Sequence, residues 1–490
     1  MSWKRAAVYG PLAAAFAVFV YVCLIRPIVG IADNGDFLRI MSSTGLDDLQ
    51  RDLPREERYF SYFIREFQLT NLGLGGYIST QVPLVLLATG LNRLFYSTTV
   101  FDIRFLAAVY MVLLLAAFAI VLRSQRQLPV LVRVLLAVLL VVVFTDVGYI
   151  GYFNSLFGEP VSYVFLLLTV ALALALSSAG RPSRKLLLAF FVSAVWLTCS
   201  KIQNAPIGVL IALLGLRFVP LRPDAAWRRL VLACSAVLAL GSMAMYVLAP
   251  KQLKDINMYQ TVFYGVIKDS QSPERDLEEL GLPAELAVLA GTNYFTKDTA
   301  IPQQDPRLKE MFYDRISHGK VALFYARHPL RLLGKLEVAA ENGMTIRPYY
   351  LGTYEKREGM PAGAVSEKFG YWSEWKRSVL PNTLWFLLPF SALYYAVLWR
   401  EWRRAASAAR RVCCETFALI GLIGAVSFVI PVVGDGLADL AKHLFLYNVC
   451  FDIMFVSGVL WVSGKAVVWA DRLWLRRRKL QAKEGRESIV

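Results

Sequence analysis

The sequence predicts an all-α polytopic membrane protein. Of its 490 residues 57% are hydrophobic, its mean hydropathy is +0.48, and apolar runs long enough to span a bilayer recur from end to end. The formal net charge of +16 does not indicate a nucleic-acid partner, because most basic residues fall in short loops between apolar runs. We therefore expect the lipid bilayer as the main partner of the chain.

We expect about ten transmembrane helices, with ends uncertain by a few residues. The first apolar run follows Lys4 and Arg5 and has no small-residue cleavage site, so we expect it to be retained as a span. Pro206 favours a break within SKIQNAP, between two short spans. The predicted spans are 6–30, 101–122, 130–147, 160–178, 186–200, 205–219, 230–249, 383–399, 416–433 and 444–462.

Basic residues predict the orientation and the domain organisation. Clusters of Arg and Lys fall at alternate span ends, so with about ten spans both termini are expected to be cytoplasmic. The loops on the other side are then extracytoplasmic, and within the first of them residues 77–96 favour an interfacial or re-entrant helix. The expected parts are an N-terminal transmembrane module (1–249) with a catalytic first outer loop (31–100), an extracytoplasmic loop or small subdomain (250–382), C-terminal transmembrane helices (383–464) and a basic cytoplasmic tail (465–490).

Polar residues at the predicted outer ends of the spans are the candidates for chemistry. A site that holds carboxylates and cations together suits an enzyme that deprotonates a hydroxyl and stabilises a phosphate leaving group. It also suits an ion-coupled transporter. The candidates are Asp33, Asp36, Asp146, Asn154, Glu159, Lys201, Gln203, Asn204, Asp435, Asp439, Lys442 and His443, with Arg347 in the large outer segment.

Each candidate also has a purely structural explanation. Glu159 starts a span, where a carboxylate caps a helix, and Asp439 precedes Lys442 by three residues, the spacing of a local ion pair. Asp146 is explained equally well as the end of its helix, and Arg347 as a salt-bridge partner. The residues alone leave both explanations open.

Several familiar chemistries are not indicated by the sequence. The six cysteines fall within or beside apolar runs and show neither metal-ligand spacing nor a disulfide framework. There is no Walker loop and no HExxH motif. No predicted cytoplasmic segment is long enough for a nucleotide-binding domain, so a nucleotide-sugar donor used inside the cell is not expected. An activated donor used at the outer face would have to arrive on a lipid.

A group of motifs carries a family resemblance. An acidic motif at a membrane exit (DNGDFLRI), a charged surface helix, an apolar helix containing QVPL and a span opening with a basic residue (FDIRFLAAVY) resemble the opening of GT-C glycosyltransferases. These polytopic enzymes take a sugar from a polyprenyl-phosphate carrier, and the resemblance implies that the N-terminal transmembrane module (1–249) is of the GT-C type. More narrowly, DVGYIGYFNSLFGEP, SKIQNAPIG, NMYQTVFYGV and GDGLADLAKHLFLYNVCFD are similar to the WsfD-like hexosyltransferases of bacterial cell-surface glycan loci.

The resemblance implies a reaction and roles for particular residues. It implies inverting transfer of a hexose to a cell-surface glycan acceptor, at the outer face of a bacterial plasma membrane. Asp36 is the implied base that activates the acceptor hydroxyl, with Asp33 as the second choice. The implied ligands of the donor phosphate are Lys201, Lys442, His443 and Arg347.

No metal cofactor is expected to be obligatory, because the implied carrier has a single phosphate. An alternative in which a divalent ion binds stays open, and its ligands would be Asp33, Asp36, Asp146 and Glu159. Two other functions also stay open: a transporter or flippase of a lipid-linked or anionic solute, and a glycan polymerase or ligase with a pyrophosphate-linked donor. Transporters usually show two related halves, whereas only SKIQNAP is interrupted here.

Overall fold

Long helices dominate the chain because a helix satisfies its own backbone hydrogen bonds, as an apolar run in lipid requires. The computed structural model describes residues 3–49, 54–71 and 75–487. Most of these residues are helical and several helices are long and apolar enough to cross a membrane. The prediction of an all-α polytopic membrane protein is therefore confirmed.

The α-helices follow one another in chain order. Those of the first half are α1 (Trp3–Phe19), α2 (Phe37–Thr44), α3 (Gln81–Phe95), α4 (Arg104–Ser124), α5 (Val130–Phe144), α6 (Val147–Ile150), α7 (Glu159–Ser178), α8 (Arg184–Thr198), α9 (Ala205–Leu216) and α10 (Ala225–Val247). Those of the second half are α11 (Lys251–Thr261), α12 (Pro273–Glu279), α13 (Pro306–Leu308), α14 (His318–Arg327), α15 (Pro329–Ala340), α16 (Tyr371–Val379), α17 (Leu384–Arg403), α18 (Ala408–Asp435), α19 (Leu440–His443) and α20 (Phe445–Glu487).

Seven segments of the described chain are long and apolar enough to cross a membrane alone. An eighth is the pair of α5 with Val147–Asn154, which is bent by 47°. All eight coincide with predicted spans, whereas α8 and α17, at the other two predicted positions, do not meet the same criterion. Ten spans therefore stay a prediction. The seven are Ala7–Leu24, Arg104–Ser124, Glu159–Ser178, Ile202–Leu221, Ala225–Val247, Ala408–Asp435 and Phe445–Trp474.

Helix α7 is the centre of the bundle. It packs against α4, α8, α18 and α20, and 83% of its span is buried, compared with 28% for the span at the N-terminus. Its apolar residues surround the helix instead of forming one stripe, as expected of a helix buried on all sides. Because Glu159 is its first residue, the helix places a carboxylate inside the protein at one end of the bundle.

The first predicted outer loop contains a small antiparallel sheet. Its strands, in the order β1-β2-β3, are β1 (Leu46–Asp48), β2 (Glu66–Leu69) and β3 (Val100–Asp102). Asp47 pairs with Gln68 and Phe67 with Phe101. The charged surface helix implied by the resemblance stays a prediction. A short helix, α2, begins directly after Asp36, and the described part of 47–65 forms β1 and a kinked helical turn at Glu57–Ser61. Residues 50–53 lie outside the described residues. The QVPL helix is present as α3.

The large segment 250–382 contributes to more than one core. Buried residues between Met258 and Tyr325 form a core of their own, whereas Leu351 and Trp372 join the main core of the spans. The first loop is tied to the second part of this segment, because the backbone N–H of Ala32 donates to the carbonyl of Gly352 over 2.8 Å. The division into the four predicted parts stays a prediction.

Candidate functional site

Four chain segments meet at one end of the bundle. They are the exit from α1, the start of α7, the turn between α8 and α9, and the turn between α18 and α20. Each helix either ends or begins there, so polar residues at span ends gather at one level. The residues brought together, which we call the polar cluster, are Asp33, Asp36, Arg39, Glu159, Lys201, Asp435, Asp439, Lys442 and His443.

Asp36 connects the N-terminal part of the chain with the C-terminal part. Nζ of Lys442 donates to its Oδ2, and Nη2 of Arg39 lies 3.1 Å from its Oδ1. Burial alone would raise the pKa of Asp36, but the charges of Lys442 and Arg39 outweigh it and hold the pKa of this carboxyl well below its usual range. The Asp36 side chain is 30% exposed and that of Lys442 only 1%. A charged carboxylate therefore lies at the rim of the cluster, with an ammonium group buried behind it.

Lys442 stays charged because several anions surround it. Its Nζ lies 3.7 Å from Oδ2 of Asp439 and 4.4 Å from the centre of the Phe157 ring. Burial opposes the charge, but Asp36, Asp439 and Glu159 together raise the pKa of Lys442 above its usual value. A buried cation of this kind is suited to bind an anionic ligand that displaces one of the carboxylates.

Asp33 has the opposite environment to Asp36, three residues away. Its side chain is buried, and Oδ1 accepts hydrogen bonds from the backbone N–H groups of Gly35, at 2.7 Å, and Phe37, at 3.1 Å. Gly35 adopts a φ of 102°, which permits this tight turn. Burial raises the pKa of Asp33 to about 6, despite those two donors. Two neighbouring carboxylates whose pKa values are pushed apart are typical of acid–base sites.

Two carboxylates of the cluster have unused hydrogen-bonding capacity. Oε1 of Glu159 lies 2.6 Å from Nζ of Lys201, and Oδ2 of Asp439 accepts from Nδ2 of Asn34 over 3.0 Å. The second oxygen of each, Oε2 of Glu159 and Oδ1 of Asp439, is buried and has no hydrogen-bond partner among the described residues. Buried acceptors without donors cost free energy. A ligand rich in hydroxyl groups would satisfy both.

His443 connects the cluster to α11 and to the break before α9. Its Nε2 lies 2.9 Å from Oδ2 of Asp435, and its carbonyl accepts from Nε2 of Gln203 over 2.9 Å. Oδ1 of Asp435 accepts from Nε2 of Gln260 over 3.1 Å. This chain of contacts fixes the turn that carries Lys442.

Asp146, one of the predicted site residues, is used within the protein instead. Its carboxylate accepts from the backbone N–H groups of Gly148, at 2.7 Å, Trp372, at 2.9 Å, and Ser373, at 3.1 Å. It therefore caps α6 and holds the start of α16. This arrangement places it outside the polar cluster.

The two predicted asparagines also have internal partners. Nδ2 of Asn154 donates to the carbonyls of Cys23, at 3.1 Å, and Val29, at 2.8 Å. Nδ2 of Asn204 donates to Oγ of Ser162 over 2.8 Å. These bonds satisfy backbone and side-chain groups where spans break, as helix breaks in membranes require.

Arg347 is almost completely buried, and its contacts lie outside the polar cluster. Its Nη2 donates to the carbonyl of Ser366 and lies 3.8 Å from Oε1 of Glu374. Its side chain is 1% exposed, yet Nε and Nη1 have no hydrogen-bond partner among the described residues. Two free guanidinium donors keep it a candidate for binding an anion.

The predicted site residues do not include a buried ion pair, Lys376 with Asp452, or the side-chain amide of Gln81. Nζ of Lys376 lies 2.5 Å from Oδ1 of Asp452, and both side chains are completely buried. The signal was a carboxylate inside an apolar run, at NVCFD. Nε2 of Gln81, the polar residue of QVPL, donates over 2.8 Å to the carbonyl of Phe157, whose ring lies under Lys442.

The described residues contain no group of three or more His, Cys, Asp or Glu side chains arranged to hold a metal ion. The set Asp33, Asp36, Asp146 and Glu159 is thus not such a group. Asp36 and Glu159 bind lysines, and Asp146 binds backbone N–H groups.

Comparison with known proteins places the chain in a family. No curated protein matches the chain. The family model described as the YfdI N-terminal transmembrane domain matches residues 5–486. Because this match covers nearly the whole sequence, the chain belongs to the YfdI N-terminal transmembrane domain family, which indicates a membrane glycosyltransferase-like protein.

Proposed function

We propose that the protein transfers a hexose from a polyprenyl-phosphate-linked donor to a cell-surface glycan acceptor, as the WsfD-like hexosyltransferases do. The proposed site is extracytoplasmic, in a bacterial plasma membrane, with both termini in the cytoplasm. The observation that carries the proposal is the contact of Asp36 with Lys442, which joins residues 406 positions apart. It sets a carboxylate and a buried ammonium side by side, the two groups that such a transfer needs.

The proposed chemistry is a direct displacement with inversion. The acceptor oxygen attacks the anomeric carbon of the donor sugar while a carboxylate of the cluster takes the hydroxyl proton. The bond between that carbon and the phosphate oxygen breaks on the opposite face, and its electron pair leaves with the polyprenyl phosphate. Lys442, Lys201 and His443 stabilise the departing phosphate.

The pairing of each lysine with a carboxylate favours an exchange of ion pairs during donor binding. Lys442 is paired with Asp36 and Lys201 with Glu159, so a phosphate that binds Lys442 displaces Asp36. The freed carboxylate is then available to an acceptor at the exposed rim. Hydroxyl groups of the sugar would meet the unpartnered oxygens of Glu159 and Asp439.

Asp36 remains our first choice of base and Asp33 the second. Asp36 is the more accessible of the two, because its side chain is 30% exposed whereas Asp33 is 8% exposed. Asp33 has the pKa closer to neutrality, at about 6, which favours proton transfer. The two assignments predict different pH dependence.

The substitution Asp36→Asn tests the proposal. We expect carrier release from polyprenyl-phosphate-glucose, -mannose or -galactose by the purified protein to fall by at least about a hundredfold, the usual contribution of a general base. The control is Asp305→Asn, the same chemical change in the segment 250–382, where the asparagine can still cap α13 as Asp305 does. Undiminished release in both Asp36→Asn and Asp33→Asn would remove both carboxylates from the role of base.

The same assay separates the other open functions. Release of polyprenyl pyrophosphate from a pyrophosphate-linked donor would indicate a polymerase or ligase. Uptake of solute into proteoliposomes without any carrier release would indicate a transporter. The polar cluster lies at span ends, whereas transporter sites usually lie near the bilayer midplane, so the geometry favours the glycosyltransferase.

A further inference from the structure

A cavity lies at the other end of the first span from the polar cluster. Its volume is about 260 Å³, and it lies between α1, α4 and α5. Ala7 and Val8, at the beginning of the first span, line the cavity. Asp33 lies beyond the other end of this span, nine residues after its last residue, Leu24. A span of 18 residues is about 27 Å long at 1.5 Å per residue. The cavity is therefore separated from the polar cluster by about the thickness of the hydrocarbon core.

The lining of the cavity divides into an apolar and a cationic part. Val8, Leu122 and Leu136 form the apolar part. The other part consists of Gln125, Arg126 and Arg133. This combination suits a ligand that is anionic at one end and apolar at the other.

The two arginines have unused binding capacity. Among the described residues neither Arg126 nor Arg133 forms an ion pair with a carboxylate, and Nε of Arg133 is buried without a hydrogen-bond partner. A buried N–H group without an acceptor costs free energy. An oxyanion in the cavity would provide that acceptor, and a guanidinium binds phosphate oxygens with two parallel hydrogen bonds.

The surroundings indicate which oxyanion. Leu131, Val134 and Val138 on α5 are exposed, as expected of a helix face in contact with lipid chains. The cavity is also slightly smaller than typical small-molecule sites, which begin at about 300 Å³, so it fits a headgroup better than a whole metabolite. We propose that the cavity binds the phosphate of an anionic phospholipid, whose acyl chains lie along α5. This site is independent of the proposed function.

The binding of phosphatidylglycerol to the purified full chain tests the proposal, for example by native mass spectrometry. In the double variant Arg126→Gln/Arg133→Gln we expect about thirtyfold weaker binding, at roughly fivefold for each basic residue near a lipid phosphate. The matched control is Arg123→Gln/Arg181→Gln, which removes one charge from the last turn of α4 and one from the loop between α7 and α8 without touching the cavity lining. The control should bind as the unchanged protein does.

A second variant keeps the test decisive should the double variant fold poorly. Ala7→Phe fills the cavity and leaves both arginines, and it should weaken lipid binding as well. Equal losses in the double arginine variant and its control would show a general charge effect and overturn the proposal, as would unchanged lipid binding in Ala7→Phe. If the protein bound inorganic phosphate but not phosphatidylglycerol, free phosphate would be the ligand, and the assignment to a phospholipid would be overturned.

Discussion

At the scale of single residues, one short turn places the carboxylates of Asp33 and Asp36 in different environments. Asp33 is turned under the start of α2, where burial raises its pKa to about 6. Asp36 points to the rim between Arg39 and Lys442, whose charges lower its pKa. Four residues of chain, 33–36, thus provide one carboxylate with a pKa of about 6 and one that stays ionised.

The pH dependence of kcat/KM for carrier release distinguishes the two bases. A base must be ionised to accept a proton, so with Asp36 in that role we expect kcat/KM to be flat from about pH 5 to pH 8. With Asp33 in that role it would rise about tenfold per pH unit below about 6 and level off above. The control is Asp33→Asn: a rise with pH that survives this substitution belongs to another group.

At the scale of elements, the turn between α18 and α20 positions the members of the polar cluster that come from the second half of the chain. Gly436 adopts a φ of 66°, and a Cβ there would lie 2.5 Å from the carbonyl oxygen of Gln260. The close approach of this turn to α11 therefore requires glycine. Asp439, in the same turn, adopts a left-handed φ of 49°, which an aspartate tolerates better than most residues.

Replacing Gly436 tests this close approach. Gly436→Ala should destabilise the protein by at least about 1–2 kcal/mol for the left-handed backbone alone, and more for the contact with Gln260. It should also lower carrier release, because the turn that carries Lys442 must move. Gly434→Ala is the control, since nothing lies within 4 Å of a Cβ at that position. Thermal unfolding of both variants measures the difference, and equal stability would show that the turn adapts.

The buried pair of Lys376 and Asp452 holds α16 to α20. Lys376→Met leaves the carboxylate of Asp452 buried without its cation, and we expect a loss of about 3–5 kcal/mol. The control is Lys356→Met, which breaks the exposed pair with Glu57 and should cost less than about 1 kcal/mol. Unfolding measurements in one detergent compare them, and Lys376→Met/Asp452→Asn should recover part of the loss. Similar small costs for both single variants would contradict a role of the buried pair in stability.

At the scale of the whole molecule, the sequence predicted the helices far better than the contacts between them. Hydropathy is a local property, so eight predicted spans coincide with segments that the structure supports. The alternation of spans also predicted that Asp36 and Lys442 would share a face, because each lies at a predicted outer end of a span. Strands of three or four residues, such as β1 and β2, are too short for their alternation to be read.

The contacts could not be predicted because they depend on packing between distant elements. Asp146 and Glu159 looked equivalent in the sequence, as carboxylates at span ends. In the structure one binds the backbone of α16, and the other binds Lys201. Which of them enters the polar cluster depends on how the helices lie against α7, and no local pattern encodes that.

The orientation of the molecule is the last prediction, and accessible cysteines test it. The proposed function requires the polar cluster and segment 250–382 to lie outside, and the loop that carries Arg181 to lie in the cytoplasm. We therefore expect Lys297→Cys, at an exposed position, to react with a membrane-impermeant maleimide in intact cells. Arg181→Cys, also exposed, should react only after permeabilisation, and the unchanged protein with its six cysteines provides the background. The reverse pattern would place the cluster in the cytoplasm, where an outer-face transfer of sugar could not take place.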